Sequence, residues 1–139
     1  TIDELVKRFA KITKGGFPYL SAELDGRVVG YSYASSFRPR VAYRYTVENS
    51  VYVTEGLQGH GIGYELLAAL ITRCEAGPWR QMIAVIGDTE NVGSIALHKK
   101  LGFHHAGTLH NTGFKLGRWV DTVLMQRALG TGGETLAEG

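Results

Sequence analysis

The spacing of apolar side chains predicts a central unit of strand, loop and helix. β-Branched and aromatic residues are concentrated between Ser50 and Thr54, which is typical of a strand. From Ile62 to Cys74 the apolar side chains recur about every 3.6 residues, which indicates an amphipathic helix. The loop between them is rich in glycine, with Gly56, Gly59, Gly61 and Gly63. Glycines leave backbone N–H groups accessible, and a helix start carries partial positive charge, so the loop predicts a cradle for a phosphate or pyrophosphate.

The chain before this unit is predicted to form one helix and a strand pair. Thr1 and Glu4 fit a capping box that opens a helix reaching Lys14, with Leu5, Phe9 and Ile12 on one face. Residues 18–24 and 28–35 show strand patterning. The Asp25-Gly26 pair between them is a strong signal for a hairpin turn.

The chain after this unit is predicted to complete a mixed sheet. Residues 81–87 form a continuous apolar run, typical of a strand buried on both faces. A short helix follows over residues 92–101, and Gly102 stands where a left-handed C-cap belongs. Residues 103–109 and 119–125 are expected to pair around a turn within residues 113–117. The tail, residues 130–139, is predicted to be flexible from its glycines and small or acidic residues.

Composition limits the class of protein. A chain of 139 residues with 44% hydrophobic and 20% charged residues suits one domain, which we place at residues 1–129. A net charge of +2 is too small to indicate nucleic acid, and no run is long enough to predict a membrane span or a secretory signal. The single cysteine, Cys74, excludes a disulfide framework and favours a reducing, cytoplasmic location. Because the chain starts at Thr1, we expect a further strand to precede it.

The glycine loop does not match two common nucleotide-binding motifs. A P-loop requires Lys followed by Ser or Thr after its last glycine, whereas Tyr64 follows Gly63. A dinucleotide fingerprint requires a third glycine where Leu66 stands. A glycine-rich turn without a ligand remains an alternative.

The pattern from Gln58 to Gly63, placed between a V-Y-V strand and a helix, resembles the GNAT superfamily of N-acetyltransferases. A second block, Asn91-x-x-Ser94-Ile95-x-Leu97-His98-x-x-Leu101-Gly102-Phe103, is similar to another motif of that superfamily. Two further segments, residues 46–53 and 117–125, resemble its phosphinothricin and methionine sulfoximine acetyltransferase branch, and so does the loop from Phe37 to Tyr43. The resemblance covers roughly residues 5–128. It implies an α/β (α+β) acetyltransferase fold with a mixed, mostly antiparallel sheet flanked by helices.

The resemblance also implies a reaction, the direct transfer of acetyl from acetyl-CoA to a primary amine. An amine near neutral pH is mostly an ammonium ion and needs a base before it can attack, and Glu48 is the candidate base. A salt bridge within the sheet is the alternative role for Glu48. The amine is expected to belong to a small amino acid analogue of the phosphinothricin or methionine sulfoximine/sulfone type.

The resemblance assigns the residues that bind acetyl-CoA to three segments. The V-Y-V strand is expected to bind it through its backbone, the glycine loop to receive the pyrophosphate, and the second block to contact the pantetheine arm. In this order the residues are Val51, Tyr52 and Val53; Gly59, His60, Gly61, Ile62, Gly63 and Tyr64; and Asn91 and Ser94. A solvent-exposed side chain is the alternative for His60. His98 stands where many members have a tyrosine acid, so it is either the general acid or a half-buried helix residue.

Cations cluster in the loop after the second predicted strand, where Arg38, Arg40 and Arg44 flank Tyr43. Guanidinium groups match carboxylates and oxyanions, so these four residues form a candidate pocket for the anionic group of the substrate. A solvated basic loop is the alternative, and composition by itself favours it.

Two other functions remain open. Peptide or protein acetylation would require an open groove, and a module that binds acyl-CoA without catalysis would lack turnover. Because members of the superfamily are often dimers, the resemblance also implies a homodimer, with Trp119 or the last strands at its interface. We expect no metal, because His104, His105 and His110 lack cysteine partners.

Overall fold

A single mixed sheet with two helices forms the molecule in the computed structural model, which describes residues 6–7, 11–12, 16–88 and 91–137. The strands are β1 (Val6–Lys7), β2 (Lys11–Ile12), β3 (Pro18–Leu24), β4 (Arg27–Ser36), β5 (Thr46–Val53), β6 (Gln81–Ile86), β7 (His104–Lys115) and β8 (Arg118–Ala128). The helices are α1 (Ile62–Glu75) and α2 (Val92–Lys100), with a short 3-10 turn at Val41–Tyr43. The sheet order is β1-β3-β4-β5-β6-β8-β7, and β2 also pairs with β3. Only β5 and β6 pair in parallel; the other described pairs are antiparallel. The predicted fold class is confirmed.

The hydrophobic core lies on the sheet face that α1 covers, and it continues onto β6 and β8. Helix α1 contacts β3, β4 and β5. Its apolar stripe is fully buried, as the period predicted: Ile62, Leu66, Leu67, Leu70, Ile71 and Cys74. Burial raises the pKa of the Cys74 thiol to about 12, so this side chain is a small buried hydrophobe.

Close approach between the sheet and α1 explains one glycine. A Cβ at Gly30 would stand 2.7 Å from the Tyr52 carbonyl oxygen and 2.9 Å from a Leu66 methyl group. Only glycine fits there without moving the strand or the helix.

The predicted helix before Lys14 is wrong where the structure describes it. Val6–Lys7 and Lys11–Ile12 are short strands that pair antiparallel with β3. Pairing with β3 satisfies the backbone there, and this tertiary contact overrides a weak helical pattern. The capping residues Thr1 and Glu4 lie outside the described residues.

The two predicted hairpins form, and the second is longer than expected. Asp25 and Gly26, with φ values of +52° and +79°, join β3 to β4. β7 and β8 extend to a tight turn at Leu116-Gly117, inside the predicted turn region. Their ladder shifts register twice, and these irregularities hid the strand pattern beyond Leu109.

Strand β6 is buried on one face, not on both as its sequence predicted. Met82, Ala84 and Ile86 are buried, whereas Val85 on the opposite face is 43% exposed. The continuous apolar run therefore marks a strand with one open face.

The segment after β8 is held by one arginine. The Arg80 guanidinium donates hydrogen bonds to the carbonyl oxygens of Gly132 (2.6 Å) and Leu136 (3.0 Å) and to the Thr135 hydroxyl (2.9 Å). The composition of the segment that starts at Gly130 predicted flexibility. Composition carries no information about a hydrogen-bond donor as distant in the sequence as Arg80. Among the described residues, no helix is long and apolar enough to cross a membrane.

Candidate functional site

The main candidate site is a cleft that opens where β5 and β6 separate. Their parallel pairing runs from Thr46 opposite Gln81 to Asn49 opposite Ala84 and then stops. Beyond that point β5 pairs only with β4, and β6 pairs only with β8. A cavity of about 260 Å³ fills the gap. It is lined by residues 48–51 of β5, residues 84–87 at the end of β6, and Asn91, Ser94 and His98 of the α2 region.

The edge of β5 that faces this cleft has no strand partner after Asn49 in the described part of the chain. An extended ligand can therefore bind the backbone N–H and C=O groups of Val51 to Val53 as an added strand would. The Tyr52 ring stacks on Tyr31 with centroids 5.2 Å apart, which places its side chain on the sheet face rather than across this edge.

The glycine loop lies at the end of the same strand edge. Gly59 and Gly61 both have φ of +84°, and a Cβ built on either would meet nothing within 4 Å. Gly61 is also the N-cap of α1, and no side chain caps the first turn. The N–H groups of that turn therefore remain available to an anion, which is what a phosphate cradle at this loop requires.

A lysine that the sequence reading missed stands beside the glycine loop. The ammonium of Lys100, at the end of α2, lies 6.0 Å from the centre of the Tyr64 ring. A Cβ at Gly63 would lie 3.5 Å from Leu97, which shows that α2 packs against the start of α1. The only sequence signal was the pair of lysines that ends the α2 pattern, which also fits an ordinary basic helix end.

Glu48 and Asn49 present their side chains to opposite faces of β5, because side chains alternate along a strand. Both line the cleft. Glu48 is half-buried, and no described residue forms an ion pair or hydrogen bond with its carboxylate. The alternative role of Glu48, a salt bridge within the sheet, therefore has no partner among the described residues.

His98 is buried on the other face, where both of its ring nitrogens are committed. Nδ1 lies 2.8 Å from the Ser94 carbonyl oxygen, and Nε2 lies 3.0 Å from Asn49 Nδ2. The Phe103 ring packs edge-on against the imidazole at 4.9 Å. Burial lowers the pKa of His98, and the hydrogen bond to Ser94 opposes that shift without reversing it. The neutral ring then donates from Nδ1 to Ser94 and accepts at Nε2 from Asn49.

Asn91 begins α2 and faces the cleft. Its Oδ1 accepts a hydrogen bond from the Ser94 N–H at 3.2 Å and so caps the helix. The Nδ2 group of Asn91 is the part of this side chain that remains for a ligand.

The arginine cluster surrounds a separate cavity at the other end of β5. This arginine cavity of about 410 Å³ is lined by Arg38, Arg40 and Arg44 together with the stacked rings of Phe17 and Trp79. None of the described residues that line it is acidic. The cavity therefore suits an anionic group.

The three arginines are not equivalent. The Arg38 guanidinium lies 4.6 Å over the Phe37 ring, and that of Arg44 lies 4.7 Å over the Tyr45 ring. No described residue holds the guanidinium of Arg40. Tyr43 packs edge-on against Phe37 at 6.4 Å and is outside the cavity lining.

The predicted site residues thus fall into two groups. The structure brings Glu48, Val51, Asn91, Ser94 and His98 into the cleft, with Tyr52, Val53 and the glycine loop along its edge. Arg38, Arg40 and Arg44 surround the arginine cavity, and His60 is an exposed residue of the loop. Asn49 was missed, because a polar residue inside a strand pattern carries no signal for a site until its distant partner His98 is known.

Within the described residues, no group of three or more His, Cys, Asp and Glu side chains could hold a metal ion. Two of the histidines noted in the sequence have local partners instead. His105 Nε2 lies 2.8 Å from the Thr108 hydroxyl, and His110 Nδ1 lies 3.2 Å from Asp121.

Comparison with known proteins identifies relatives with the same architecture. Residues 1–124 match the model of a family described as an acetyltransferase (GNAT) domain. The chain is 54% identical over 135 residues to a phosphinothricin N-acetyltransferase of Alcaligenes faecalis, covering 97% of this chain and 68% of that protein. It is 43% identical over 112 residues to an L-methionine sulfoximine/L-methionine sulfone acetyltransferase of Pseudomonas paraeruginosa, covering 80% of this chain and 64% of that protein.

A solved structure agrees with these sequence relatives. The chain superposes with a TM-score of 0.87 and 52% identity on a GNAT superfamily phosphinothricin acetyltransferase from Sinorhizobium meliloti in complex with AcCoA. The match covers 91% of this chain and 69% of that one. The chain therefore spans about two thirds of the length of the relatives that it matches.

Proposed function

The chain belongs to the acetyltransferase (GNAT) domain family and carries an acetyl-CoA-dependent N-acetyltransferase domain, and on that premise we propose that it acetylates the primary amine of a small amino acid analogue. The substrate is of the phosphinothricin or methionine sulfoximine/sulfone type. The named activities of the two sequence relatives support this substrate class. Such a reaction would serve detoxification.

The observation that carries this proposal is the Glu48 carboxylate on the wall of the cleft between β5 and β6. An amino acid analogue arrives as an ammonium ion, and its nitrogen has no lone pair for attack. Glu48 accepts the proton, either directly or through a water molecule, and the free amine then attacks the acyl carbon without a covalent enzyme intermediate. A carboxylate without a competing ion pair among the described residues is available for this step.

The residues present fit acetyl-CoA, whose thioester supplies the activated acetyl group. The unpaired edge of β5 suits the two amides of the pantetheine arm, and the open cradle at Gly59 and Gly61 suits the pyrophosphate. We place the backbone of Val51 to Val53 along the arm and the segment from Gly59 to Tyr64 at the pyrophosphate. Asn91 and Ser94 border the arm, and Lys100 adds a cation near the phosphates.

We infer that His98 positions Asn49 rather than acting as the general acid. A general acid needs a proton that it can donate toward the leaving thiolate. The proton of neutral His98 is on Nδ1 and is already donated to the Ser94 carbonyl oxygen. Nε2 accepts from Asn49, so neither nitrogen presents a proton to the cleft.

We place the anionic group of the substrate in the arginine cavity, with Arg40 as its main partner. The Arg40 guanidinium has no partner in the described residues, whereas Arg38 and Arg44 rest on aromatic rings and supply background positive charge. The cavity is bordered by Thr46, which is two residues from Glu48 on the same face of β5. A short amino acid analogue can span that separation, since two strand residues rise by about 7 Å.

We propose a homodimer that uses the tip of the β7–β8 hairpin. Leu116 is 93% exposed and Trp119 is 62% exposed, and Phe114 packs edge-on against Trp119 at 5.0 Å. Exposed apolar groups of this kind mark interaction sites. A cytoplasmic location is consistent with a lone buried cysteine.

The experiment that tests the proposed function is thiol release from acetyl-CoA with a panel of amines. The panel contains phosphinothricin, methionine sulfoximine, methionine sulfone, the standard amino acids and a lysine peptide. We expect release with the amino acid analogues. Release only with the peptide would replace the proposal with protein acetylation, and acetyl-CoA binding without release would replace it with a non-catalytic binding module.

A further inference from the structure

Asn49 is a buried side chain with one unused hydrogen-bonding atom. It is 7% exposed, at the point where β5 and β6 stop pairing. Among the described residues, its Oδ1 is the only buried side-chain nitrogen or oxygen without a hydrogen-bond partner. An unsatisfied buried acceptor lowers the stability of the fold, so its presence requires an explanation.

The hydrogen bonds of His98 fix which atom of Asn49 is unused. A carbonyl oxygen only accepts, so His98 Nδ1 must donate to the Ser94 oxygen at 2.8 Å. The neutral ring then has only a lone pair at Nε2, which must receive an N–H from Asn49 Nδ2 at 3.0 Å. This chain of two bonds leaves the carboxamide oxygen of Asn49 for the cleft that Asn49 lines.

An unused carbonyl oxygen selects a ligand group that donates. The thioester and the phosphates of acetyl-CoA offer no such donor. Its pantetheine arm carries an N–H on each of its two amides and one hydroxyl group, which lies on the phosphate side of both amides. The substrate amine also donates, but it must approach Glu48, whose side chain projects to the opposite face of β5. Asn49 is on the face of α2, with Ser94 and His98, where the pantetheine arm is proposed to pass.

Position along β5 distinguishes the two amides. Asn49 is adjacent to Glu48, at the level of the strand where acetyl transfer is proposed. The glycine loop, which would hold the pyrophosphate, is at the far end of this edge. The amide nearest the thioester is therefore the one that reaches Asn49.

We propose that Asn49 Oδ1 accepts a hydrogen bond from the pantetheine amide nearest the thioester, and that His98 fixes the carboxamide in the orientation that makes this possible. This inference rests on the proposed path of acetyl-CoA and adds a side-chain contact that sets the depth of the thioester in the cleft. It does not depend on which amine is acetylated.

The test measures dissociation constants by calorimetry, without any amine. Acetyl-CoA is compared with an analogue in which that amide is an ester, so that an oxygen replaces the N–H, and with a second analogue altered in the same way at the other amide. We expect the wild-type protein to bind the first analogue about tenfold more weakly than acetyl-CoA, because Oδ1 would lose its donor. The second analogue should lose less affinity, relative to acetyl-CoA, than the first analogue does.

Two substitutions separate the contact from a structural role. Asn49→Leu removes the acceptor, so the variant protein should bind acetyl-CoA and the first analogue with equal affinity. Asn49→Asp keeps an acceptor oxygen and should retain the discrimination. Ser32→Ala is the matched control, because it removes another buried hydrogen bond, from the Ser32 hydroxyl to the Leu66 carbonyl oxygen at 3.0 Å, and should leave the discrimination unchanged.

The inference would be overturned if the wild-type protein bound the first analogue as tightly as acetyl-CoA. This measurement uses the wild-type protein alone, so it does not depend on whether a variant folds. Discrimination that persists in Asn49→Leu would also overturn it, since a backbone carbonyl would then be the acceptor. Discrimination that disappears in Asn49→Leu supports the contact even if no amine in the panel is acetylated, so failure of the proposed substrate class remains distinguishable.

Discussion

At the carboxyl end of β5 the candidate site is built from backbone and buried side chains, whereas at its amino end it is built from exposed cations. The cleft depends on the loss of strand pairing after Asn49, on glycines with positive φ and on the Asn49–His98 hydrogen bond. The arginine cavity depends on the loop after β4, where Arg38 and Arg44 rest on neighbouring rings.

The difference suggests a division of labour. Backbone and buried groups are fixed by the fold itself, so the end of the site that would hold the common acetyl donor is formed in advance. Long exposed side chains lose entropy when they are ordered, and they can be replaced without disturbing the core. The end of the site that would select the amine is therefore the end that can change most easily.

The largest effect should come from Glu48, which lies between the two ends. Glu48→Gln keeps the shape and removes the base, so we expect kcat to fall by about 100-fold to 1,000-fold with little change in the dissociation constant of acetyl-CoA. Steady-state kinetics together with calorimetry would measure both. Turnover at the wild-type rate would exclude Glu48 as the base, and Glu55→Gln, in the loop after β5, is a control that should leave kcat unchanged.

The next largest effect should separate the two ends. Arg40→Ala removes the guanidinium without a partner from the arginine cavity, and we expect the KM for the amine to rise by about 10-fold to 100-fold, the range for a lost charged hydrogen bond. Binding of acetyl-CoA should not change. The matched control is Arg73→Ala, an exposed arginine on α1, which should alter neither quantity. An unchanged amine KM in Arg40→Ala would place the anionic group outside this cavity.

A smaller effect should appear at the glycine loop. Gly61→Ala puts a side chain at φ of +84°, which we expect to lower the free energy of unfolding by about 1–2 kcal/mol. The same strain should weaken acetyl-CoA binding and leave the amine KM unchanged, the reverse of the Arg40 result. Urea denaturation and calorimetry would measure these changes. Gly107→Ala is the control, since its φ is not positive and a Cβ there meets nothing within 4 Å. Equal effects of the two substitutions would show that the loop conformation contributes neither to stability nor to acetyl-CoA binding.

The smallest effect should be a pH dependence caused by His98. Its pKa is lowered in the folded protein, first by burial, so the unfolded chain takes up the proton at a higher pH. The stability that His98 contributes is complete above its ordinary pKa of 6.5 and is lost as the pH falls from there through the folded-state value. The limiting slope for one proton is about 1.4 kcal/mol per pH unit.

Urea denaturation between pH 8 and pH 5 would measure how the free energy of unfolding depends on pH. The slope should correspond to at most about one titrating proton. His98→Gln can still contact Asn49 but does not titrate, so its stability should depend less steeply on pH. Equal slopes for the two proteins would show that His98 is not held neutral by the fold.

Local patterns in the sequence determined the elements that depend on neighbouring residues. The period of α1, the Asp25-Gly26 turn and the left-handed Gly102 depend mainly on residues a few positions apart, and the structure has each of them. The family motifs added the order of these elements, and with it the fold and the acetyl donor. They also named Glu48, although its role as base stays a prediction.

Only the tertiary structure decided what depends on distant contacts. Pairing with β3 turned the start of the described chain from a predicted helix into strands. The face of β6 that carries Val85 stayed open, in a run that looked fully buried. The hydrogen bond between Asn49 and His98 joins residues that are 49 positions apart, so it has no local signature. The sequence thus predicted the glycine-loop cradle and Glu48 as the base. Tertiary packing separated the arginine cavity from the cleft and placed the unused oxygen of Asn49 at the cleft.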